Sequence, residues 1–321
     1  MQKILIIRFS SIGDIVLTTP LLRAIKQQNS QIEVHYLTKK EYADVIRHNP
    51  YIDKLFLIDN DIRNIVKQLR KEKYDHIIDL HKNLRSFRIK KALGIPATSF
   101  EKLNWEKLLL VKFNINNLPK VHIVDRYFAT LRKLRIKNDK KGLEYYSGLE
   151  DEKQIKGLDE KIADDYAVLV VGGTYFTKQI PIEKLLEIIQ AIKIPVVLAG
   201  GPSDVEIAQE VIEQSEKTVY NAVGISDINE SAEIVRRSSF VVTGDTGLMH
   251  IAAAYQKRIY SVWGNTVPEF GMTPYMPEHP ERSTIIEIKE LKCRPCSKLG
   301  HNTCPQSHFD CMMKIDFNKI F

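Results

Sequence analysis

The sequence predicts an α/β protein of two doubly wound, parallel-sheet domains that face each other. Short apolar runs of strand length alternate with amphipathic segments of helical length, and this alternation stops once and then restarts. Glycine turns carrying an acid or a hydroxyl also close several of the apolar runs. In open parallel sheets, ligands collect at those strand ends.

Taken in order, residues 3–8 form a first strand and residues 14–28 a helix. Strands follow at 32–37, 54–58 and 76–80, with helical patterns at 41–48 and 62–71 between them. Crossovers between such strands are expected to be right-handed. Residues 136–165 are charged, contain Gly142, Gly148 and Gly157, and hold no sustained period. They read as a linker, dividing the chain into domains 1–155 and 156–321. The pattern resumes with a strand at 166–171 and a helix to residue 192 that opens on Pro181. Strands at 195–199 and 217–220 flank a helix at 204–214. Ser226 is the expected N-cap of a helix ending at Arg237. A strand at 240–243, a helix at 248–255 and a strand at 258–262 complete the pattern, leaving 102–121 and 266–282 as loops.

The 321 residues suffice for two cores, and 44% hydrophobic with 27% charged residues is ordinary for a soluble globular chain. The apolar runs fall well short of the ~20 residues of a spanning helix. Arg8 and Asp14 interrupt any signal-peptide core, so a cytoplasmic location is expected. The net charge of +7 is unevenly spread. Residues 1–150 hold 29 Lys+Arg against 16 Asp+Glu, whereas residues 151–321 hold 18 against 24. Either the first half meets an acidic partner, or it simply carries a solvated lysine-rich surface.

The densest chemistry lies in Phe240-Val-Val-Thr-Gly-Asp-Thr-Gly-Leu-Met-His250. Here a strand ends in two glycines bracketing Asp245 and Thr246, and Gly247 leads into a helix whose N-terminal N–H groups favour a phosphate. His250, one turn on, either shares that cleft or is structural. Gly172-Gly173-Thr174 closes another strand, and Lys178 adds a point charge, so the two turns could cradle a diphosphate from two sides. Asp204, after Gly200-Gly201, either accepts from ribose hydroxyls or caps its own helix. Asp14 follows Gly13 at the start of the first helix, where the dipole would make it a weaker base. His81, Lys82 and Arg85 directly follow a strand in the most basic segment. Only Phe87 interleaves there, which favours an anionic head group or phosphorylated acceptor over nucleic acid. Neither first strand leads into G-x-G-x-x-G, and no Walker-type lysine motif is present. This argues against a dehydrogenase and against phosphoryl transfer from ATP.

All four cysteines lie near the end, at Cys293, Cys296, Cys304 and Cys311. The first pair has metal-ligand spacing and the second does not, leaving a zinc site and a plain thiol cluster both open.

Several of these motifs together resemble glycosyltransferase family 9, the ADP-heptose:lipopolysaccharide heptosyltransferases. They are ILIIRFSSIGDIVLTTP (4–20), DLHKNLRS (79–86), GGPSDVE (200–206), VVTGDTGLMH (241–250) and the cysteine tail. The resemblance implies a GT-B architecture, with the acceptor in the first domain and the nucleotide sugar in the second. It also implies inversion at the anomeric carbon, with neither a metal nor a further cofactor required. Carried over by motif, Asp14 is the general base and Gly13, His81, Lys82 and Arg85 lie on the acceptor side. Lys178, Thr246 and Gly247 meet the diphosphate, Asp245 and His250 lie near the sugar, and Gly173, Thr174 and Asp204 complete the donor contacts. Where the family often has Trp-Pro after this lysine, the chain has Gln179-Ile180-Pro181. The expected partners are a nucleotide-sugar donor and a phosphorylated glycolipid acceptor at the cytoplasmic face of the inner membrane. Two other readings stand beside this one: a non-catalytic nucleotide-sugar-binding protein that docks an anionic partner, and an epimerase or hydrolase acting on the nucleotide sugar alone.

Overall fold

The computed structural model describes residues 2–149, 155–158, 162 and 165–321. The chain divides into two compact units, Met1–Lys102 with Val121–Tyr146, and Leu103–Lys120 with Ser147–Phe321.

The first unit contains β1 (Lys3–Ile7), α1 (Ile12–Val16), α2 (Thr19–Gln28), β2 (Glu33–Lys39), β3 (Lys54–Ile58), α3 (Ile62–Lys71), β4 (His76–Asp79), α4 (Leu84–Leu93) and β5 (Ala97–Ser99). The second unit takes in α5 (Asn104–Phe113), and α6 (Ile123–Phe128) returns to the first. The rest of the second unit comprises β6 (Ala167–Val170), α7 (Ile182–Ala191), β7 (Val196–Ala199), α8 (Val205–Gln214), β8 (Val219–Asn221), α9 (Ile228–Arg237), β9 (Phe240–Gly244), α10 (Gly247–Ala254), β10 (Arg258–Trp263), β11 (Ser283–Glu287) and α11 (Asp310–Met313).

Both sheets are parallel. The first has the order β3-β2-β1-β4-β5 and the second β11-β10-β9-β6-β7-β8. Each sheet is wound outward in both directions from its first strand, so the order reverses between β1 and β4 and between β6 and β9. Those are the switch points, where the loops diverge and leave a crevice at the strand ends. The central strands explain their own sequences: Ile4–Ile7 and Ala167–Val170 are buried throughout, as strands covered by helices on both faces must be.

Several expected elements differ. The helix expected over 14–28 is two helices, because Pro20 has no N–H to continue the first, and Thr18 instead becomes the N-cap of α2. The pattern at 41–48 is a 3₁₀ turn, Lys40–Val45. Asp227, not Ser226, caps α9: its carboxylate accepts the N–H groups of Asn229 and Glu230, while Glu230 reaches back to the Asp227 N–H. Pro181 is the N-cap rather than the first helical residue of α7. The loop at 102–121 holds α5, whose run Leu108-Leu109-Leu110-Val111 blurs the helical period.

The expected linker at 136–165 lies partly outside the described residues, as does the chain just before the 155/156 division. Its first part is packed, with Ile136, Leu143 and Tyr145 buried. Arg23 anchors it, with Nε 2.7 Å from Asp139 Oδ2, Nη1 3.3 Å from Glu144 Oε1, and Nη2 donating to Gly142 O. Among the described residues no helix is long and apolar enough to cross a membrane.

Candidate functional site

In the first unit the chemistry gathers where β1 and β4 end. Arg8, the residue after β1, is nearly buried and fully engaged. It donates from Nε to Ser10 O at 2.8 Å and from Nη1 to Leu80 O and the Tyr127 hydroxyl. Its Nη2 lies 2.6 Å from Asp14 Oδ2. Burial opposes the charge on Arg8, but Asp14, Tyr127 and Tyr36 outweigh it and hold the guanidinium above its ordinary value. Asp14 sits in the first turn of α1, where Ser11 donates to its Oδ2 from the backbone and from Oγ, at 3.4 and 3.1 Å. This carboxylate is therefore held by an arginine from the strand end and by its own helix cap. Gly13, buried beside it, is the second residue of α1.

The β4–α4 turn is built on Asp79, a fully buried carboxylate. Its Oδ1 accepts the backbone N–H groups of His81 and Lys82 at 3.0 and 2.7 Å. Its Oδ2 accepts from Ser86 Oγ at 2.9 Å and pairs with Lys90 at 2.7 Å. Burial would raise this carboxyl, but Lys90, the Lys82 N–H and Ser86 hold it below its usual range. The turn fixes His81 edge-on to Phe9, with ring centroids 4.9 Å apart, and Arg85 lies over the same ring at 5.8 Å. His81 is pushed down to about 4 by burial, then by the positive charges of Arg8 and Lys102. Its Nδ1 is buried and finds no hydrogen-bond partner among the described residues. Lys102 is likewise lowered, by burial and by Arg8. Lys82 is exposed. The structure thus brings Asp14, His81 and Arg85 to one switch point.

In the second unit the chemistry gathers where β6, β7 and β9 end. Lys178 Nζ lies 2.6 Å from Asp245 Oδ2, and Thr266 Oγ1 donates to the same oxygen at 3.1 Å. The backbones behind this pair touch, since a Cβ on Gly244 would stand 2.7 Å from Lys178 O. Thr246 is the N-cap of α10, yet its side chain makes no capping hydrogen bond to that helix. Thr246 Oγ1 instead lies 2.9 Å from Thr243 Oγ1. Asp245, Thr246 and Gly247 are partly exposed, whereas His250 is buried at 2%.

At the neighbouring turns, Gly173 O accepts from Gln179 Nε2 at 3.0 Å, and Thr174 is exposed. Asp204 bonds locally: Oδ2 accepts the Gly201 N–H at 2.8 Å, and Oδ1 accepts from Ser203 Oγ at 3.4 Å. It also fills the space above Gly172, where a Cβ would come within 1.9 Å of its Oδ2. Asp204 thus locks the β7 turn against the β6 turn.

Sequence pattern alone assigns no role to Arg8, Asp79, Lys102 or Thr266. Arg8 gave a faint signal, being a lone cation directly after an otherwise apolar strand. The groups facing Lys102 and Thr266 lie far away in sequence, and those of Asp79 converge on it only in the folded turn.

Two Rossmann-like units, each a parallel sheet with a switch point, define a GT-B-type fold, and comparison with known proteins agrees. Residues 62–304 match the family described as Glycosyltransferase family 9 (heptosyltransferase). The Lipopolysaccharide heptosyltransferase 1 of Campylobacter coli is 26% identical over 291 residues, covering 83% of this chain and 84% of that protein. The family 9 glycosyl transferase of Veillonella parvula superposes with a TM-score of 0.70 at 22% identity, covering 90% of this chain and 88% of the other. The Escherichia coli heptosyltransferase WaaC with ADP superposes with a TM-score of 0.67 at 21% identity, covering 88% and 92%. The chain belongs to glycosyltransferase family 9 and is a heptosyltransferase of GT-B fold.

Proposed function

We propose that this enzyme transfers heptose from ADP-heptose to a sugar hydroxyl of a lipopolysaccharide inner-core acceptor. The anomeric centre inverts, and no divalent metal takes part in the reaction. The observation that carries the reading is the ammonium of Lys178, held by Asp245 just before α10, whose N-cap Thr246 makes no side-chain capping bond. A diphosphate leaving group needs positive charge as the glycosidic bond breaks, and a fixed ammonium with oriented N–H groups supplies it. Thr246 and Gly247 would contact the diphosphate, with Asp245 and His250 toward the sugar. Gly173 and Thr174 would lie along the donor. Asp204 would act through the turn it locks rather than on the ribose.

Asp14 would take the proton of the acceptor hydroxyl, with Arg8 fixing its position. Gly13, His81, Lys82 and Arg85 would line the acceptor side. A neutral His81 can exchange a hydrogen bond with a sugar hydroxyl through Nδ1, which needs a partner. Peripheral contact with an anionic membrane face is supported by the 103–120 segment, where Trp105, Phe113 and Ile115 stand exposed near Lys112 and Lys120. The ADP named with the WaaC structure supports the choice of base.

A thermal-shift panel of ADP, UDP, GDP, CMP and NAD without added metal tests the donor. A ligand at about 100 times its Kd stabilises by about 2.7 kcal/mol. A selective ADP response is expected. A selective UDP or GDP response would reassign the donor, and silence from every nucleotide would overturn the diphosphate site.

A further inference from the structure

We propose that Cys293, Cys296, Cys304 and Cys311 bind a thiophilic divalent metal ion, zinc first, in a structural site separate from the reaction. These are all the cysteines of the chain, and all four line one small cavity in the second unit. Its volume is about 10 Å³, room for one water-sized atom. Asn265 lines the same cavity, and although it is only 1% exposed, neither its amide nitrogen nor its amide oxygen has a hydrogen-bond partner among the described residues. A buried amide with neither end satisfied points to a polar occupant, which a cluster of apolar thiols does not explain.

The surrounding chain also needs a fastening. Residues 288–309, between β11 and α11, contain no helix or strand. Loops this long inside a compact unit are uncommon, and a metal clip is one way to hold them. Cys293 and Cys296 have the two-residue spacing that lets neighbouring sulfurs share an ion, and Cys304 and Cys311 close the set. His308 lines the same cavity, and its Nε2, 4.0 Å from Cys293 Sγ, is near enough to substitute for a thiolate.

Among the described residues, the group of such side chains whose ligand atoms already lie within 4.8 Å of one another is Glu33, His35 and Glu72. That group is already neutralised: Lys3 bridges both carboxylates at 3.1 and 3.2 Å, and Lys54 pairs with Glu72 at 2.5 Å. The thiols are more widely spaced, and forming the site draws them together around the ion. Each thiol that becomes a ligand releases its proton to solvent and forms a sulfur–metal bond, so one divalent ion displaces four protons. Arg294, paired with Glu287 at 2.7 Å, supplies a fixed cation beside the resulting dianionic site.

The ion would also brace the donor turn. Thr177, next to Lys178, lines the cavity as well, and its Oγ1 accepts the His301 N–H at 2.8 Å and donates to His301 O at 3.2 Å. A fastened cysteine loop therefore holds the turn that carries Lys178.

The full-length protein, purified with reductant and without chelator, should contain about one zinc or iron per chain by elemental analysis. A mercurial thiol reagent should release it. Chelator-stripped protein given Co²⁺ should develop thiolate-to-cobalt charge-transfer and tetrahedral ligand-field bands. Cys293→Ser/Cys296→Ser should lose both the metal and the cobalt bands; if that variant fails to fold, the wild-type cobalt spectrum is decisive by itself. Metal-free protein that yields no thiolate–cobalt bands would overturn the proposal, as would undiminished metal in the double variant. An unchanged ADP response in the thermal-shift panel would show that only the metal proposal had failed.

Discussion

Lys178 and Asp245 meet at 2.6 Å although 67 residues separate them, because β6 and β9 are neighbours at the switch point of the second sheet. Asp245 holds the ammonium in place at the N-terminus of α10 before any ligand arrives. In the proposed reaction an arriving diphosphate would find its cation already positioned, so little ordering would be required on binding. Lys178→Ala should raise the donor KM about 10- to 100-fold, the size of a lost charge-assisted hydrogen bond. It should also leave Asp245 unpaired beside the phosphates. Asp245→Asn in the Lys178→Ala background should recover part of that loss, as measured by ADP titration calorimetry.

Asp14→Asn preserves the shape of the side chain but removes its capacity as a base. Transfer should fall about 10²- to 10⁴-fold while ADP affinity stays within error of the wild type. Retained transfer would remove Asp14 from the base role. Arg8→Lys should retain the charge but lose the forked contacts to Ser10, Leu80 and Tyr127, so kcat should fall while donor KM stays nearly constant.

His81 links acid pH to stability. Its folded value of about 4 lies below its ordinary 6.5, so the unfolded chain binds more protons between those values. Stability is therefore fully present above about pH 6.5 and declines as pH falls toward 4, by at most about 1.4 kcal/mol per pH unit from this group. His35 and His76 are also lowered by burial and add to the same slope. Urea melts at pH 7.0, 6.0 and 5.0 should show His81→Gln with a shallower acid decline than the wild type; an identical slope would contradict this assignment.

Gly172 has no room for a methyl group because the Asp204 carboxylate occupies it. Gly172→Ala should destabilise the second unit by about 1–3 kcal/mol, the usual penalty of overpacking, and weaken ADP binding with it. Asp204→Ala removes the obstruction together with the Gly201 bond. The double variant should thus be less destabilised than the two single effects combined, which a double-mutant cycle measures. Simple additivity would mean that the two turns are not locked together.

The sequence made the architecture legible because parallel strands buried on both faces are apolar from end to end, and glycines mark where they stop. The turns at Gly13-Asp14, Gly172-Gly173 and Gly244–Gly247 could be read for the same reason: their chemistry is local. Asp79 could not, since its role depends on Lys90 and on backbone N–H groups that only the folded turn presents. Arg8 remained opaque because its partners include Tyr127, 119 residues away. Asp204 was recognised as important, but its two candidate roles differ only in where the carboxylate points. Helix α5 escapes the sequence pattern because its apolar and polar residues are both spread around the helix, so no single face sets a period.

The most direct test of the account is acceptor-dependent release of ADP from ADP-heptose, measured with wild type and Asp14→Asn on a purified inner-core acceptor. ADP release is expected only when acceptor is present, with an inverted heptosyl product by NMR. Asp14→Asn should bind the donor normally and release almost none. Equal release without acceptor would make the enzyme a hydrolase, and donor binding with no turnover on any inner-core acceptor would contradict heptosyl transfer to lipopolysaccharide.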